Sequence, residues 1–373
     1  DRRQRQMCIR DRYMALKKRY IIVILLIALI SISYSQRGAI LLTVLPNALT
    51  SLMSTNGIDD LGDGLHVGLC GAGGPMPSGN RSGPCVAVIA GGKLFLVDTG
   101  TNGARNINRM GLRTDAVEGV FLTHFHSDHI DGLGETAMLR WMGGNYTEPM
   151  PVYGPKGVAE VVDGFNQAYS SDAIYRTAHH GSAVASPASS GMTAVTFEIP
   201  QDNTSLMIYD KDDLNVEMIR VDHAPIAPAV AYLFTYKGRT ALVSGDTIKS
   251  SNIEKFSQGI DLLVHEALSP QLLQMMSTGA ENANAVSRAK IFHDVLDYHT
   301  SPVEAAEIAR DANVGHLLYY HVVPPLDVPG MDAIWLDGVN DVFSSYTLGQ
   351  DGTLFTLPIN SNKIVRVQLK IEN

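Results

Sequence analysis

The chain alternates short apolar runs with helical patterns over most of its length. Apolar runs bounded by turn residues are typical of buried strands, and apolar residues spaced three or four apart are typical of helices. The runs predict strands over residues 65–70, 85–90, 93–97, 119–123, 215–221, 230–236, 240–244, 260–264 and 315–320. The helical patterns cover residues 132–141, 156–169 and 302–312. This order predicts an α/β fold, a sandwich of two facing mixed sheets with helices outside.

The helix predicted over 302–312 has clear signals at its start. Thr300 or Ser301 is a candidate N-cap, Pro302 suits the first turn, and Glu304 follows. The helix is therefore expected to begin at Pro302.

Residues 170–200 interrupt the alternation, because they are rich in Ser, Ala, Gly and His. Long loops inside compact domains are often lids or substrate loops. We predict an insertion loop here, either a substrate loop or a disordered surface excursion. Its Arg176, His179 and His180 are candidate substrate-binding residues.

The N-terminal part differs from the rest in composition. Residues 1–13 resemble a translated sequencing adapter and are interpreted as a non-native tail, with a natural basic arm as the alternative. Basic residues 17–19, the apolar run 21–30 and small residues at 33 and 35 predict a signal or anchor segment over 14–37. An uncleaved membrane anchor over 20–36 is favoured over cleavage, since a span needs ~20 mostly apolar residues. We expect an exported, periplasmic or extracytoplasmic protein with a linker over 38–62 and one catalytic domain over 63–373.

The composition and net charge argue against two classes of protein, disordered chains and nucleic-acid-binding proteins. Apolar residues make up 45% of the 373 residues, which argues against a disordered chain. The formal net charge of −9 gives no electrostatic footprint for nucleic acid. Cys70 and Cys85 lie in neighbouring predicted strands, where they are either a disulfide or two small buried thiols, the second being favoured.

The candidate chemistry centres on residues 124–129, which directly follow a predicted strand. His124, His126, Asp128 and His129 lie within this hexapeptide. Imidazole nitrogens and carboxylate oxygens are the ligands that zinc takes outside thiolate sites. On a tight loop, the first two histidines can face one metal while Asp128 and His129 face a second.

Residues 123–132 (THFHSDHIDG) resemble the signature of the metallo-β-lactamase superfamily. Further motifs of that family follow in order: VDH at 221–223, SGDT at 244–247 and YH at 320–321. The resemblance implies two zinc ions, with manganese or iron as alternatives. It places His124, His126, His223 and Asp246 on one metal, and Asp128, His129, Asp246 and His321 on the other. The earlier motif VDTG at 97–100 implies that Asp98 orients the site from behind the ligands.

Two further motifs, LVHEA at 263–267 and YHTS at 298–301, resemble the ribonuclease Z-like branch of the superfamily. Together with RSGP at 81–84 and YGPKG at 153–157, they look most like its exported arylsulfatase-type subgroup. His299 and His265 become candidate catalytic residues beside Asp98 and Asp128, with buried, hydrogen-bonded histidines as the alternative for the first two.

The resemblance implies a hydrolase that activates a water shared by two metals. The expected substrate is a small anionic ester, either an aryl sulfate or a phosphodiester. The alternatives are a ribonuclease Z-like transfer-RNA endonuclease or phosphodiesterase, and a glyoxalase II-type thioesterase or lactonase. No nucleic-acid partner is expected, and a homodimer is left open.

Overall fold

The structure is a computed structural model that describes residues 2–369 and 371. The chain divides into two compact units, residues 1–56 and residues 57–373. The first unit contains helices α1 (Arg2–Ser35) and α2 (Arg37–Ser54). None of the helices in the described part of the chain is both long enough and apolar enough to cross a membrane, contrary to the anchor expected over 20–36. Residue 1 of the predicted tail and residues 370, 372 and 373 of the predicted catalytic domain lie outside the described residues.

The second unit contains all the strands and the remaining helices of the described chain. The strands are β1 (Gly64–Gly71), β2 (Cys85–Ala90), β3 (Lys93–Val97), β4 (Val117–Phe121), β5 (Met150–Pro155), β6 (Met192–Phe197), β7 (Ser205–Lys211), β8 (Leu214–Arg220), β9 (Val230–Tyr236), β10 (Arg239–Val243), β11 (Leu262–Leu268), β12 (His316–Val323), β13 (Tyr346–Leu348), β14 (Thr353–Pro358) and β15 (Val365–Gln368). The helices are α3 (Gly103–Arg109), α4 (Ser127–Ile130), α5 (Leu133–Gly143), α6 (Val158–His180), α7 (Ser251–Phe256), α8 (Pro270–Asn282), α9 (Val286–Asp294), α10 (Pro302–Asp311), α11 (Met331–Trp335) and α12 (Val339–Val342), with 3-10 turns at Thr114–Ala116, Pro187–Ser189 and Val295–Asp297.

The strands form two sheets that face each other. The eight-stranded sheet has the order β15-β14-β1-β2-β3-β4-β5-β6, and the seven-stranded sheet has the order β13-β12-β11-β10-β9-β8-β7. One buried apolar cluster joins their inner faces, with Phe121 from the first sheet and Phe234 from the second among its members. The Tyr232 hydroxyl also crosses between the sheets and donates to the Leu122 carbonyl at 2.7 Å.

Helices cover both outer faces. Side chains of α3, α5 and α6 pack on the eight-stranded sheet, where Ile107 and Leu133 are buried. Side chains of α7, α8 and α10 to α12 pack on the seven-stranded sheet, where Ile308 and Trp335 are buried. The predicted sandwich of two sheets between helical layers is confirmed.

The strand directions bring several chain segments to one edge of the sandwich. Strands β3 and β4 are parallel, as are β10, β11 and β12. Strand β8 has the direction of β10, because both are antiparallel to β9. Segments that follow these strands therefore leave each sheet at the same edge.

The predicted insertion loop over 170–200 is wrong. Helix α6, which was expected to end at residue 169, continues to His180, and residues 192–197 form strand β6. The alanines in this stretch favour helix. Strand β6 then pairs with β5 along six residues, from Met150 opposite Met192 to Pro155 opposite Phe197.

The expectation of two separate buried thiols is also wrong, because Cys70 and Cys85 form a disulfide. They lie at facing ends of the antiparallel strands β1 and β2, with a register shift between Leu69 and Gly71. This pairing brings their Cα atoms to 5.0 Å, a separation that a disulfide spans without backbone movement.

Candidate metal centre

The predicted metal ligands come together at the shared edge of the two sheets. His124, His126, Asp128 and His129 follow β4 in the eight-stranded sheet. His223 follows β8, Asp246 follows β10 and His321 lies in β12, all in the seven-stranded sheet. Five of these seven side chains are more than nine-tenths buried, and the other two, His126 and Asp128, are partly exposed.

The first group of side chains consists of His124, His126, His223 and Asp246, whose ligand atoms lie within 4.8 Å of one another. The His126 Nδ1 atom is 3.0 Å from His124 Nε2 and 3.5 Å from His223 Nε2. Asp246 Oδ2 completes the group, at 3.7 Å from His124 Nε2 and 3.9 Å from His223 Nε2.

The second group consists of Asp128, His129 and His321, also within 4.8 Å. Asp128 Oδ2 is 3.6 Å from His129 Nε2 and 3.3 Å from His321 Nε2. Asp246 Oδ2 lies 3.3 Å from each of the same two nitrogen atoms. One carboxylate oxygen of Asp246 therefore lies between the two groups.

The donor set fits divalent cations. Within the described residues, the buried atoms His129 Nε2 and Asp246 Oδ1 have no hydrogen-bond partner. Buried polar atoms are nearly always satisfied, so unpaired ones in a cluster indicate a missing partner. Nitrogen and oxygen donors in two groups with a shared carboxylate suit a pair of cations.

The same groups carry strongly shifted pKa values. Burial lowers the pKa of His124 well below its usual value, and the nearby His129 lowers it further. Burial would also lower the pKa of His321, but Asp246 and Asp128 outweigh it and raise that pKa to about 9. The buried carboxylates therefore favour positive charge in the site. Bound cations would supply that charge in place of protons on the histidines.

The backbone takes sparsely populated conformations at the site. Asp98 has φ 57° and His321 has φ 45°, a region that residues other than glycine rarely adopt. Such strain persists only where the surrounding structure enforces it, and it clusters at functional sites. Gly245, directly before Asp246, has φ 61°, and a Cβ atom there would lie 2.8 Å from the Val230 carbonyl oxygen. The turn that presents Asp246 therefore requires glycine.

Asp98 lies behind the ligands, where the family resemblance implied. Its Oδ2 accepts a hydrogen bond from His129 Nδ1 at 2.8 Å, and its Oδ1 accepts one from the Thr123 backbone N–H at 2.9 Å. The Thr123 hydroxyl also donates to Oδ2, at 2.8 Å. These contacts fix the ring of His129 so that its Nε2 faces the cluster.

His299 approaches the second group, with a ring nitrogen within 4.8 Å of ligand atoms of Asp246 and His321. Its Nδ1 lies 3.1 Å from Oε1 of Glu266, a buried carboxylate. The same oxygen accepts hydrogen bonds from the backbone N–H groups of Thr300 and Thr247, at 3.1 and 3.2 Å. Glu266 therefore holds His299 and anchors two loops of the site.

The structure does not bring His265 to the site. Side chains alternate along a strand, and its neighbour Val264 packs in the cluster between the sheets. Leu263 and Ala267 pack in the outer cluster with α10, so His265 faces the same outer layer. Its Nδ1 donates to the Glu266 carbonyl at 2.7 Å. A buried, hydrogen-bonded histidine is therefore the better description of His265.

Sequence reasoning missed Glu266 and Tyr298. The alternation just described would have pointed Glu266 inward beside Val264. The backbone carbonyl of Tyr298 accepts a hydrogen bond from His223 Nδ1 at 2.8 Å, and a backbone role leaves no residue-type signal.

A cavity of about 280 Å³ opens over the ligands. Its polar floor and its apolar wall are made by different segments. The floor includes His126, Asp128, Asp246, His299 and His321. The wall consists of Pro75, Met76, Leu268, Ile291, Phe292, Val295 and Val323. Tyr298 and Ser127 complete the lining.

The predicted substrate residues Arg176, His179 and His180 do not line this cavity. They lie in the last two turns of α6, where Arg176 pairs with Asp172 at 2.7 Å.

Comparisons with known proteins agree with this geometry. Residues 93–322 match the family described as the beta-lactamase superfamily domain. Ribonuclease Z of Mycolicibacterium gilvum (strain PYR-GCK) is 32% identical over 273 residues, which cover 73% of this chain and 88% of that protein. Ribonuclease Z of Mycobacterium avium (strain 104) is 32% identical over 274 residues, with 73% and 90% covered.

The chain belongs to the metallo-β-lactamase superfamily. Two solved structures show the same fold. The metallo-β-lactamase fold protein YhfI from Bacillus subtilis has a TM-score of 0.57 at 19% identity, covering 79% of this chain and all 100% of that one. Human tRNase Z, short form, has a TM-score of 0.56 at 20% identity with the same coverage. Membership of the metallo-β-lactamase superfamily and the His/Asp cluster make this protein a metal-dependent hydrolase acting on ester bonds.

Proposed function

We propose that this protein is a dinuclear, zinc-dependent hydrolase of phosphodiesters. The observation that carries the proposal is the position of Asp246 Oδ2 between two groups of nitrogen and oxygen donors. Two cations held in this way would supply Lewis-acid activation of water and neutralise charge that develops on the reacting group.

The protein's own residues would do the rest. The buried carboxylate of Glu266 orients His299 beside the second ligand group. His299 is then positioned to protonate the leaving oxygen as the bond to phosphorus breaks. Asp98 holds His129 in the orientation that ligation needs. The products are a phosphomonoester and an alcohol.

The relatives favour phosphorus over sulfur as the reacting centre. The two relatives of 32% identity named above are called Ribonuclease Z, which agrees with the alternative of a ribonuclease Z-like phosphodiesterase and not with the expected arylsulfatase-type subgroup. Sulfate ester and thioester hydrolysis have no comparable support.

RNA is the second candidate substrate, and the identity of 32% to proteins named Ribonuclease Z favours it. Charge favours a smaller diester. In the described part of the chain, no lysine or arginine lines the cavity over the ligands. The net charge of the full sequence is −9. A polyanion needs cationic side chains to bind near the reacting centre. We therefore propose a small phosphodiester as the preferred substrate.

A substrate panel on zinc-loaded protein tests this proposal. It compares bis(p-nitrophenyl) phosphate, p-nitrophenyl sulfate and a precursor transfer RNA at equal enzyme concentration. We expect turnover of the phosphodiester and about two zinc ions per chain. Asp246→Ala should lose the activity and at least one zinc ion, whereas the control Asp210→Ala, on an exposed position of edge strand β7, should keep both.

Two results would contradict the proposal. Full zinc content and full rate in Asp246→Ala would remove the shared carboxylate from the mechanism. Efficient, site-specific cleavage of the precursor transfer RNA with weak ester turnover would make RNA processing the function.

We also propose that the protein is exported. Disulfides persist in oxidising compartments and are rare in the cytosol, so the Cys70–Cys85 disulfide supports export. A fusion of residues 14–50 to a reporter that is active only outside the cytoplasm should give a signal. Activity of a cytoplasmic reporter alone would overturn this proposal.

A further inference from the structure

We infer that the apolar wall of the cavity, centred on Ile291 and Phe292, binds an apolar ester group of the substrate, aromatic or alkyl. This inference rests on the proposed phosphodiester hydrolysis and names the kind of diester that the site selects. The wall stands beside the ligand groups, so one ester group of a bound diester would contact it while the phosphate meets the polar floor.

The wall comes from four separate segments, all apolar where they meet the cavity. Pro75 and Met76 belong to the loop between β1 and β2. Leu268 and Val323 are the last residues of the neighbouring strands β11 and β12. Helix α9 and the 3-10 turn after it contribute the remaining side chains, including Ile291 and Phe292. Apolar side chains converging from four segments form a surface that excludes water when an apolar group covers it.

A packed layer backs this wall. Phe292 and Met76 pack on a cluster with fully buried Leu273 of α8, and Val323 belongs to the same cluster. Side chains fixed by packing behind them give a binding surface its shape before the ligand arrives. The wall is therefore preformed, and does not depend on a rearrangement of the cavity.

Ile291 marks the outer end of the wall. Its side chain is 57% exposed, and it lines the cavity. Val286, in the first turn of the same helix, is 76% exposed but does not line the cavity. The two residues thus form a matched pair on α9, one predicted to contact substrate and one not.

The chemistry of the wall favours a hydrocarbon group over a nucleobase. A base presents hydrogen-bonding groups along its edge, and burying them without partners is unfavourable. Among the described residues, the lining outside the ligand groups and His299 offers only Ser127 and Tyr298 as polar side chains. A phenyl or alkyl ester has no such requirement.

Three diesters that share one leaving group and differ in the second ester group test this preference. They are the methyl, phenyl and thymidine esters of p-nitrophenyl phosphate, assayed with zinc-loaded protein. We expect kcat/KM for the phenyl ester to exceed that for the methyl ester by about tenfold or more. The thymidine ester should be no better than the methyl ester. Phe292→Ala should lower the phenyl-to-methyl ratio about tenfold, and Ile291→Ser should lower it in the same direction.

Val286→Ser is the control, and it should leave the ratio at the wild-type value. Because Ile291 is exposed, its substitution tests the wall even when Phe292→Ala fails to fold. Binding provides a readout without turnover: calorimetry with diphenylphosphinate and dimethylphosphinate, which have no ester bond to cleave. Diphenylphosphinate should bind more tightly, and both wall variants should reduce that difference.

The outcomes separate this inference from the function on which it rests. No turnover of any of the three diesters would contradict the proposed function. Turnover of all three with equal kcat/KM, or an unchanged phenyl-to-methyl ratio in both wall variants, would overturn the apolar site alone. A preference for the thymidine ester would overturn it in favour of nucleotide recognition.

Discussion

Asp98 lies outside the predicted ligand set but orients one of its members, His129. Its carboxylate makes three hydrogen bonds, one of them to the ring of His129, at a backbone φ of 57°. Alanine would be strained at this φ, whereas asparagine tolerates it. The asparagine variant therefore removes the charge with little change of backbone.

We predict that Asp98→Asn binds zinc about 10–100-fold more weakly than the wild type, because the ring of His129 loses its anionic partner. Competition with a chromophoric chelator measures the affinity. Asp131→Asn is the control, since Asp131 is exposed and its carboxylate accepts a hydrogen bond from the Thr101 hydroxyl, at 3.4 Å, and not from a histidine of the cluster. Equal zinc affinities of Asp98→Asn and the wild type would remove the positioning role of Asp98.

The sequence predicts which side chains cluster at the candidate metal centre because their motifs are local. His124, His126, Asp128 and His129 lie in one hexapeptide, and each remaining ligand directly follows or lies in an apolar strand. His265 and Glu266 were harder to assign, because two adjacent polar residues in a buried strand point to opposite faces. Only the packing of Val264 between the sheets decides which one meets the site.

Among the secondary-structure elements, the strands near the middle of each sheet were predictable from the sequence. Several strands nearer the sheet edges were not. All nine predicted strands are present within a few residues of their expected bounds. The missed strands include β5, which contains prolines at both Pro151 and Pro155, and β7, where Ile208 is the single buried side chain. Proline and weak burial both remove the pattern that identifies a strand. These strands exist because a neighbouring strand pairs with them.

His316 at the start of β12 makes the pairing with β13 sensitive to pH. Its Nδ1 and Nε2 lie 3.0 Å from the hydroxyls of Ser345 and Thr347. Burial, together with Arg366, lowers the pKa of His316 to about 4, against 6.5 for an unperturbed histidine. Between these pH values the unfolded chain binds a proton at this position that the folded protein does not.

We therefore predict that His316 lowers the free energy of unfolding as the pH falls from about 6.5 to about 4. Above pH 6.5 it should have no such effect. In His316→Gln, the free energy of unfolding should fall less between pH 7 and pH 4.5 than it does in the wild type. Denaturant unfolding at both pH values measures the difference. Equal losses in the two proteins would show that His316 does not contribute to the acid sensitivity.

At the scale of the whole molecule, the Cys70–Cys85 disulfide stabilises the folded protein. The sequence alone did not decide whether the two cysteines pair. The two cysteines are 15 residues apart, and the distance between them depends on the bulge in β1. Closing a loop of this length removes entropy from the unfolded chain and contributes about 3 kcal/mol. The loop also carries Gly74, where a Cβ atom would lie 3.0 Å from Cε1 of His321.

The double variant Cys70→Ala, Cys85→Ala should therefore be less stable than the oxidised wild type by about 3 kcal/mol. Guanidinium unfolding of both proteins after chelation of metal measures this difference without a contribution from bound ions. The wild type unfolded under reducing conditions should approach the stability of the variant. A difference near zero would mean that the native state relaxes fully without the disulfide.

The predicted metal ligands are divided between the two sheets, four on the eight-stranded side and three on the seven-stranded side. Bound cations would therefore join the sheets to each other, and an ion that binds only the folded state stabilises it. If the cations are zinc, as proposed, the protein would be inactive when zinc is scarce and would also unfold more often. Unfolded chains are the ones that proteases degrade. We expect the amount of this protein to follow the supply of zinc, with no dedicated regulator needed.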